Sequence, residues 1–541
     1  MNNNAEIILT NGHIYTIDKT FSTASAVAVG NGKIMCVGSD DEVKKYLGNR
    51  TKNIDLKGHT VLPGIIESHM HMQAYGLKLL NIDCFGKTKA EILNEVKAAY
   101  KSIRQGQWIT GAGWNETGWE DKQLPVKQEL DEIAPDVPIY IARVCGHLAW
   151  VNSAALAAAG INESTTEPAG GEIHRDAAGN ATGILVDTAA SLVQDRIPAI
   201  EEAMLEKAYM LAQDDFLKHG ITSIHDLALS SLYDYGTVEF ISGMYRKGVM
   251  KISINSYISA DNAERAYTVG PIAGAFGGKY SMKGVKVFTD GSLGARSAWM
   301  LEEYSDRPGH FGNCRYTDGE LYDLMAAARK NGFQIATHAI GDAANRQVIS
   351  AYERILRDFP EPADHRSRIE HAQIIKRDDV KRLLALGIIP SMQFVHCTSD
   401  KEMTEERIGA ERLGDAFPWR SFIDGGAIIP GGADAPVELV SPFHGIYAAV
   451  TRKDRSGRPE GGWRPEQKIT RAEAIKAFTI WGAYAAFEEG IKGSIEAGKI
   501  ADFTIIDRDV MNCPEDEIKD ISVIATILGG ETAYDIDGSF S

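Results

Sequence analysis

Between residues 61 and 431 the chain alternates short apolar stretches with longer amphipathic ones, and this alternation narrows the choice of fold more than any other feature. Strands are expected at 61–67, 222–226, 251–257, 285–289, 334–337, 367–370, 388–393 and 427–431, with helices between most of them, such as 201–219 and 319–331. Short apolar runs bounded by turn residues read as strands buried on both faces, and the 3.6-residue periodicity between them reads as helix. Eight strand–helix units in series argue for an α/β fold, a (β/α)8 barrel of the TIM type.

The two ends of the chain have a different character. Residues 1–60 read as all-β, with one hairpin expected around Asn11-Gly12 (6–10 and 13–16) and another around Gly30-Asn31-Gly32 (26–29 and 33–37). Residues 493–507 hold a turn and a further apolar strand. Neither end has enough strands to be stable alone, so the two are expected to pair into one small β-sandwich domain. Its parts are then 1–60 and 488–541, and the barrel domain is 61–487. The first two barrel strands lie about 150 residues apart, far more than one helix needs. Residues from about 80 to 200 are therefore read as an α/β insertion after strand one. It contains helices at 89–103 and 124–133, strands at 108–111 and 139–143, and a hairpin over 171–187 turning at Gly179-Asn180.

Composition excludes some classes of function. A net charge of −17 argues against nucleic acid or an anionic membrane surface as partner. No stretch approaches 18 apolar residues, and the first residues have neither a basic nor an apolar leader segment, so no signal peptide or membrane span is expected. The cysteines (Cys36, Cys84, Cys145, Cys314, Cys397, Cys513) are scattered singly, without a Cys-x-x-Cys pair. That favours a reducing cytoplasm over a disulfide framework, and the sequons at Asn115 and Asn162 then carry no glycan. A homo-oligomer is compatible with the chain, but its oligomeric state is not legible.

The chemistry is carried by polar residues at the ends of apolar strands, where barrel enzymes place their active sites. Strand one ends in His69-Met70-His71, two imidazoles that period-2 geometry directs to one side. Strand four carries Lys286, strand five ends in His338, strand six in His371, and strand eight leads to Asp434. Imidazoles, a carboxylate and a lysine converging on one barrel mouth make a ligand set for one or two divalent metals, with zinc as the default and iron or manganese as alternatives. Lys286 interrupts an apolar strand, where a bare ammonium is costly. A buried lysine loses its proton readily, and its amine can take up carbon dioxide to become a carbamate, an anion able to bridge two metals. The plainer alternatives are an ordinary lysine or an ion pair with Asp290, and for Asp434 a capping role before Pro436.

At this point the chain resembles the amidohydrolase superfamily, in the branch similar to N-substituted formamide deformylases (amidohydrolase family 3). The likeness rests on residues 63–71, on Gly146-His147 with 152–156, and on Gly170-Gly171 with Thr182-Gly183. It continues through 286–294, the two lone histidines, and 498–502. The resemblance implies a distorted barrel and a β-sandwich built from both termini. It also implies His69, His71 and Asp434 on one metal, His338 and His371 on the other, and carbamylated Lys286 as the bridge. Two departures are Glu67, where the family usually has Asp, and Ala433, where it usually has Ser. The implied activity is metal-dependent hydrolysis of a non-peptide C–N amide bond in an N-acyl or N-formyl amine. Water activated at the metal attacks the carbonyl, and Asp434 passes a proton to the leaving amine.

Further residues are candidates to touch a small-molecule amide substrate. Trp114, Trp119 and Phe394 would wall an apolar pocket, His147 would reach in from the insertion, and Asp290 and Arg296 would line the mouth. Core packing or structural hydrogen bonding is the competing role for each. His225 could support a ligand from behind or simply pack, and the remaining eight histidines, His396 among them, receive no role. Hydrolysis of a cyclic amide or carbamate by the same site is the alternative activity. A non-catalytic scaffold is the reading from another class, and retention of all six candidate ligands argues against it.

Overall fold

A parallel sheet organises the middle of the chain in the computed structural model, which describes residues 4–104, 106–143, 147–168, 170–229 and 234–540. Gly146 and Cys145 lie outside the described residues. The strands of this sheet run, in spatial order, Ile65–Met70, Ile221–Leu227, Ser253–Ser259, Tyr280–Phe288, Gln334–Ala339, Arg368–His371 and Ile389–Ser391. Each neighbouring pair is parallel, and a short strand, Ile272–Gly274, adds antiparallel to Tyr280–Phe288. Every residue of Ile65–Met70, Ile221–Leu227 and Ser253–Ser259 is buried, as expected where both faces of a sheet are covered.

The eighth position differs from expectation. Residues 427–431 form no strand. Instead, single parallel bridges join Met392 to Gly431 and Met70 to Ala435, and the segment between them fills the gap between the seventh strand and the first. Glu67 secures this segment, its Oε1 accepting the Ala433 N–H at 2.6 Å. A Cβ on Gly432 would stand 2.6 Å from the His69 nitrogen and 2.7 Å from Glu67 Oε1, so only glycine lets the two backbones come this close.

The expected first strand, 61–67, is two strands in two sheets. Thr60–Pro63 pairs antiparallel with Phe503–Ile506, while Ile65–Met70 enters the barrel. Gly64 is the joint. Its N–H donates to the Asp502 carbonyl at 2.8 Å, and an added Cβ would meet Thr222 Oγ1 at 2.3 Å and Asp502 Cβ at 2.9 Å. Strands Phe503–Ile506, Val523–Leu528 and Glu531–Asp535 from the end of the chain share a sheet with His13–Tyr15, Thr23–Ala24 and Thr60–Pro63 from its start. A second sheet contains Lys33–Gly38, Ala26–Gly30, Ile7–Thr10 and Lys52–Asp55. Leu9, Val27 and Ile54 of this sheet pack in one apolar cluster with Ile14, Phe503 and Ile527 of the other.

The hairpin expected at Asn11-Gly12 does not form. Ile7–Thr10 is flanked by Ala26–Gly30 on one edge and Lys52–Asp55 on the other, and Ile8 and Leu9 are buried in different clusters. With both edges taken, Asn11 (φ 56°) carries the chain across to the other sheet. The turn at Asn31-Gly32 does join an antiparallel pair, Ala26–Gly30 with Lys33–Gly38.

The chain divides into two compact units, 1–72 with 213–541, and 73–212. The second holds a six-stranded mixed sheet ordered Gly171–Arg175, Ala181–Asp187, Leu148–Val151, Ile139–Arg143, Ile109–Trp114 and Ile82–Asp83. Helix Lys89–Ser102 packs Ile92 and Val96 into its core. No helix of the described residues is long and apolar enough to cross a membrane.

Because Thr222 is β-branched and Asp502 Cβ is close to backbone, the joint at Gly64 has little room to yield. Gly64→Ala is expected to destabilise the fold by about 1–3 kcal/mol, seen as a lower denaturation midpoint. An unchanged midpoint would contradict the tight joint.

Candidate metal centre

The parallel register brings polar side chains from several strands to one end of the barrel. His338 lies opposite both Phe288 and Glu370, Ala339 opposite His371, and Lys286 opposite Ala336 and Ser259. His69 closes the first strand, and His71 follows it, its N–H donating to the Ala435 carbonyl at 2.9 Å. Asp434 arrives on the bridging segment, its own N–H donating to the His69 carbonyl at 2.8 Å.

The outer nitrogens of three imidazoles are committed, which assigns their tautomers. His69 Nδ1–H donates to Glu370 Oε2 at 2.6 Å, and His71 Nδ1–H donates to the Leu227 carbonyl at 2.6 Å. Both partners can only accept, so in a neutral ring each Nε2 keeps its lone pair. His338 Nε2 lies 3.3 Å from Asp290 Oδ1 and 3.5 Å from the Gly291 carbonyl, again both acceptors, which leaves Nδ1 free of the proton. His371 Nδ1 is buried and makes no hydrogen bond. Its ring centroid lies 4.9 Å from that of His69 and 4.6 Å from that of His338.

These lone pairs face a carboxylate. Asp434 Oδ1 lies 3.3 Å from His69 Nε2 and 2.8 Å from His71 Nε2. Yet His69 Nε2, Asp434 Oδ1, His371 Nδ1 and Lys286 Nζ are all buried without a hydrogen bond. One ligand atom each from His69, His371 and Asp434 lie within 4.8 Å of one another. Buried imidazole and carboxylate atoms turned towards a common point beside a lysine amine, none of them hydrogen-bonded, fit a divalent cation. Burial holds the His69 and His371 imidazoles below their usual range, so both are neutral, the form that binds metal. For Asp434, burial pushes upward, but His69 and His71 outweigh it and keep the carboxyl well below the usual range.

Lys286 is 1% exposed, with Nζ 5.0 Å from the Phe288 ring centroid. Burial pushes its amine down to about 8, against the pull of Glu370 and Asp434. The alternative pairing with Asp290 does not form. Asp290 instead accepts the N–H groups of Trp299 (3.0 Å), Ile340 (3.1 Å) and Gly341 (2.8 Å), which ties the loop after the fourth strand to the one after the fifth and places His338.

The other candidates are distributed differently. Arg296 binds Asp306 through Nε and Nη2 and serves its own loop. Phe394 is fully buried, edge-on to Trp419 at 4.9 Å, and belongs to the core. Trp114, in the other unit, is fully buried, its indole N–H donating to the Ile141 carbonyl, with Trp119 stacked at 5.9 Å. Apolar packing accounts for all three aromatics. His147 is an exposed residue of that same unit and pairs with Asp187 at 2.9 Å. His225 supports the site indirectly, its Nδ1 2.8 Å from Arg368 Nη1.

Sequence reasoning missed two groups. The first is Arg368 with Glu370, fully buried opposite charges two residues apart on one strand. Arg368 Nε and Nη2 donate to Glu370 Oε1 and Oε2 at 2.7 and 2.9 Å, and Arg368 also holds the Ser68 carbonyl, Ser391 and Tyr257. Burial opposes the Glu370 charge, but Arg368 and then His69 hold its carboxyl well below the usual range. An i, i+2 charge pair inside an apolar strand was the available signal. The second is His396, whose Nε2 lies 3.9 Å from Asp434 Oδ2.

A family model described as "Amidohydrolase family" matches residues 52–534. The chain belongs to the amidohydrolase family. Among curated proteins, this amidohydrolase is 34% identical to "Protein LONG AFTER FAR-RED 3" of Arabidopsis thaliana, across 98% of this chain and 92% of the plant protein. It is 29% identical to an N-substituted formamide deformylase of Arthrobacter pascens, across 99% of each. Among solved structures it is similar to an uncharacterised metal-dependent hydrolase from Pyrococcus furiosus. That similarity has a TM-score of 0.76 and 25% identity, covering 94% of this chain and 100% of that one. The amidohydrolase family assignment and the unpaired buried cluster agree on a metal-dependent hydrolase with a TIM-barrel-like core.

Glu370 gives this site its own test. Glu370→Gln removes the charge that holds the His69 imidazole and leaves Arg368 without its counterion. The expected result is a 10- to 100-fold loss of metal affinity, read by competition with a chromogenic chelator, together with a lower melting temperature. A folded variant with unaltered metal affinity would show that Glu370 does not orient a ligand.

Proposed function

We propose that the protein hydrolyses the C–N bond of a small non-peptide amide, an N-acyl or N-formyl amine, in the cytoplasm. The observation that carries this is the buried, hydrogen-bond-free set His69 Nε2, His371 Nδ1, Lys286 Nζ and Asp434 Oδ1. The full-length likeness to an N-substituted formamide deformylase supports the substrate class. Cysteines free of disulfides among the described residues support the compartment.

In this reading His69, His71 and Asp434 hold one divalent ion, with zinc as the default. His338 and His371 hold a second, and Lys286 as a carbamate lies between them. Neutral His69 and His371 and an ionised Asp434 are protonation states that suit a cation, and the lowered Lys286 pKa eases the loss of the proton that combination with carbon dioxide requires. What an ion supplies when bound is Lewis acidity, which makes hydroxide available near neutral pH and draws electrons from a carbonyl. Asp434 turns Oδ1 to His69 and His71, so Oδ2 is the atom to take a proton from water and pass it to the departing nitrogen. Glu370 keeps His69 turned inward throughout.

Chelation should abolish turnover of formanilide and related N-acyl amines, and added zinc or manganese should restore it. Substrate panels containing linear and cyclic amides separate this reading from hydrolysis of a cyclic amide or carbamate, which would show as turnover of the rings alone. Lys286→Ala should lower the metal content, and short carboxylic acids should partly restore it by standing in for the carbamate. Unchanged metal stoichiometry in that variant would remove the bridge. Asp434→Asn should reduce kcat by about 100-fold or more, and full activity would remove the proton carrier.

A further inference from the structure

His396 lies beside the cluster without belonging to the ligand set. It opens the short helix His396–Ser399, a few residues beyond the seventh strand, with its N–H donating to the Gln393 carbonyl at 3.1 Å. Its ring lies parallel to that of His371, 15° apart in plane and 6.1 Å between centroids. The side chain is nine-tenths buried, and Nε2 makes no hydrogen bond. Nε2 faces the second oxygen of Asp434, Oδ2, at 3.9 Å, on the side not used by His69 and His71.

That gap is too long for a hydrogen bond and fits one polar atom about 2.8–3.0 Å from each side. A buried imidazole nitrogen is costly to leave unpaired, so a gap of this kind suits an occupant. Asp434 donates from Oδ2 once it has taken the proton of the water, so the occupant must accept there and donate to the His396 lone pair. A planar amide nitrogen can donate, but resonance withholds its lone pair. Once water has added to the carbonyl carbon, the nitrogen becomes pyramidal and can do both.

We propose that His396 is a further catalytic residue, its Nε2 lone pair and Asp434 Oδ2 holding the scissile nitrogen between them. The inference rests on the amide-hydrolysis reading above. In the reaction Asp434 Oδ2 takes a proton from the water, whose oxygen bonds to the carbonyl carbon. The nitrogen lone pair then takes that proton from Asp434 while the N–H of the same nitrogen donates to His396. The C–N bond breaks, its electron pair stays on the departing amine, Asp434 is ionised again, and His396 gains no proton. The nitrogen can be held from both sides only after attack, so the contact raises kcat more than it strengthens ground-state binding.

The test compares wild type with His396→Phe, which keeps a ring but has no acceptor, and His396→Gln, which keeps an acceptor oxygen. Both are assayed on formanilide and on an N-formyl alkylamine, with metal content measured by atomic emission. For His396→Phe we expect a full metal complement, KM within about threefold, and kcat down about 100-fold on the alkylamine. The loss should shrink on the anilide, whose nitrogen leaves more readily, and His396→Gln should recover at least part of it. If His396→Phe does not fold, the smaller His396→Leu serves in its place. Lost metal would make His396 a ligand, and a raised KM at constant kcat would make it a ground-state contact. A loss equal for both leaving groups would make it structural, and each of these results overturns the proposal. A metal-loaded wild type inert towards every amide removes the amide reading and this inference together, whereas an active wild type with an unimpaired Phe variant removes only this inference.

Discussion

The ion pair of Arg368 with Glu370 anchors the inside of the barrel. Both groups are fully buried, and a lone charge there would be untenable. Glu370 neutralises Arg368 through a two-pronged contact and fixes the His69 ring with its other side. Arg368 in turn reaches the backbone of the first strand at Ser68 and the side chains of Ser391, Tyr257 and His225. One guanidinium thus links five strands of the sheet around a single carboxylate. Breaking such a buried pair by removing one partner typically costs about 3–5 kcal/mol. The orientation of the histidine and the integrity of the barrel therefore have the same physical origin.

How much of this could be read from the letters depended on whether a residue's neighbours in sequence revealed its environment. Lys286 stood out because an ammonium inside an apolar strand needs a reason, and His338 and His371 because they end strands of clear apolar character. Arg368 and Glu370 sat in plain view, but their meaning lies in partners from the first, second, third and seventh strands, and no local pattern states such pairings. His396 was passed over for the same reason, since its only informative neighbour, Asp434, is distant in sequence. For Trp114 and Phe394 the sequence left both roles open, because an aromatic side chain looks alike in a core and in a pocket wall. The Asn11-Gly12 turn was misread because two strands from elsewhere compete for the edges of Ile7–Thr10. Gly64 concealed a change of sheet inside what looked like one strand.

The site also departs from easy backbone geometry. His371 (φ 76°), Ala372 (φ 41°) and Asp434 (φ 57°) all lie in the left-handed region that side chains disfavour. Such residues cost on the order of 1–3 kcal/mol each and persist only where the surroundings over-determine them. Here the surroundings do so through backbone contacts. The Asp434 N–H is taken by the His69 carbonyl, the Ala435 carbonyl accepts from His71, and the Ala433 N–H is taken by Glu67. Burial pushes the Glu67 carboxyl up to about 8, so the same side chain that clamps the bridging segment is largely uncharged at neutral pH and does not repel Asp434.

Gly64 ties the histidine-bearing strand to the last part of the chain. Thr60–Pro63 finds its antiparallel partner in Phe503–Ile506, and the hydroxyl of Thr504 also receives the N–H of Ile65, 439 positions away. During synthesis the first strand leaves the ribosome long before that partner exists. One edge of Thr60–Pro63 therefore waits for Phe503–Ile506, whereas its other edge meets His13–Tyr15 and the histidine-bearing Ile65–Met70 meets Ile221–Leu227 much earlier.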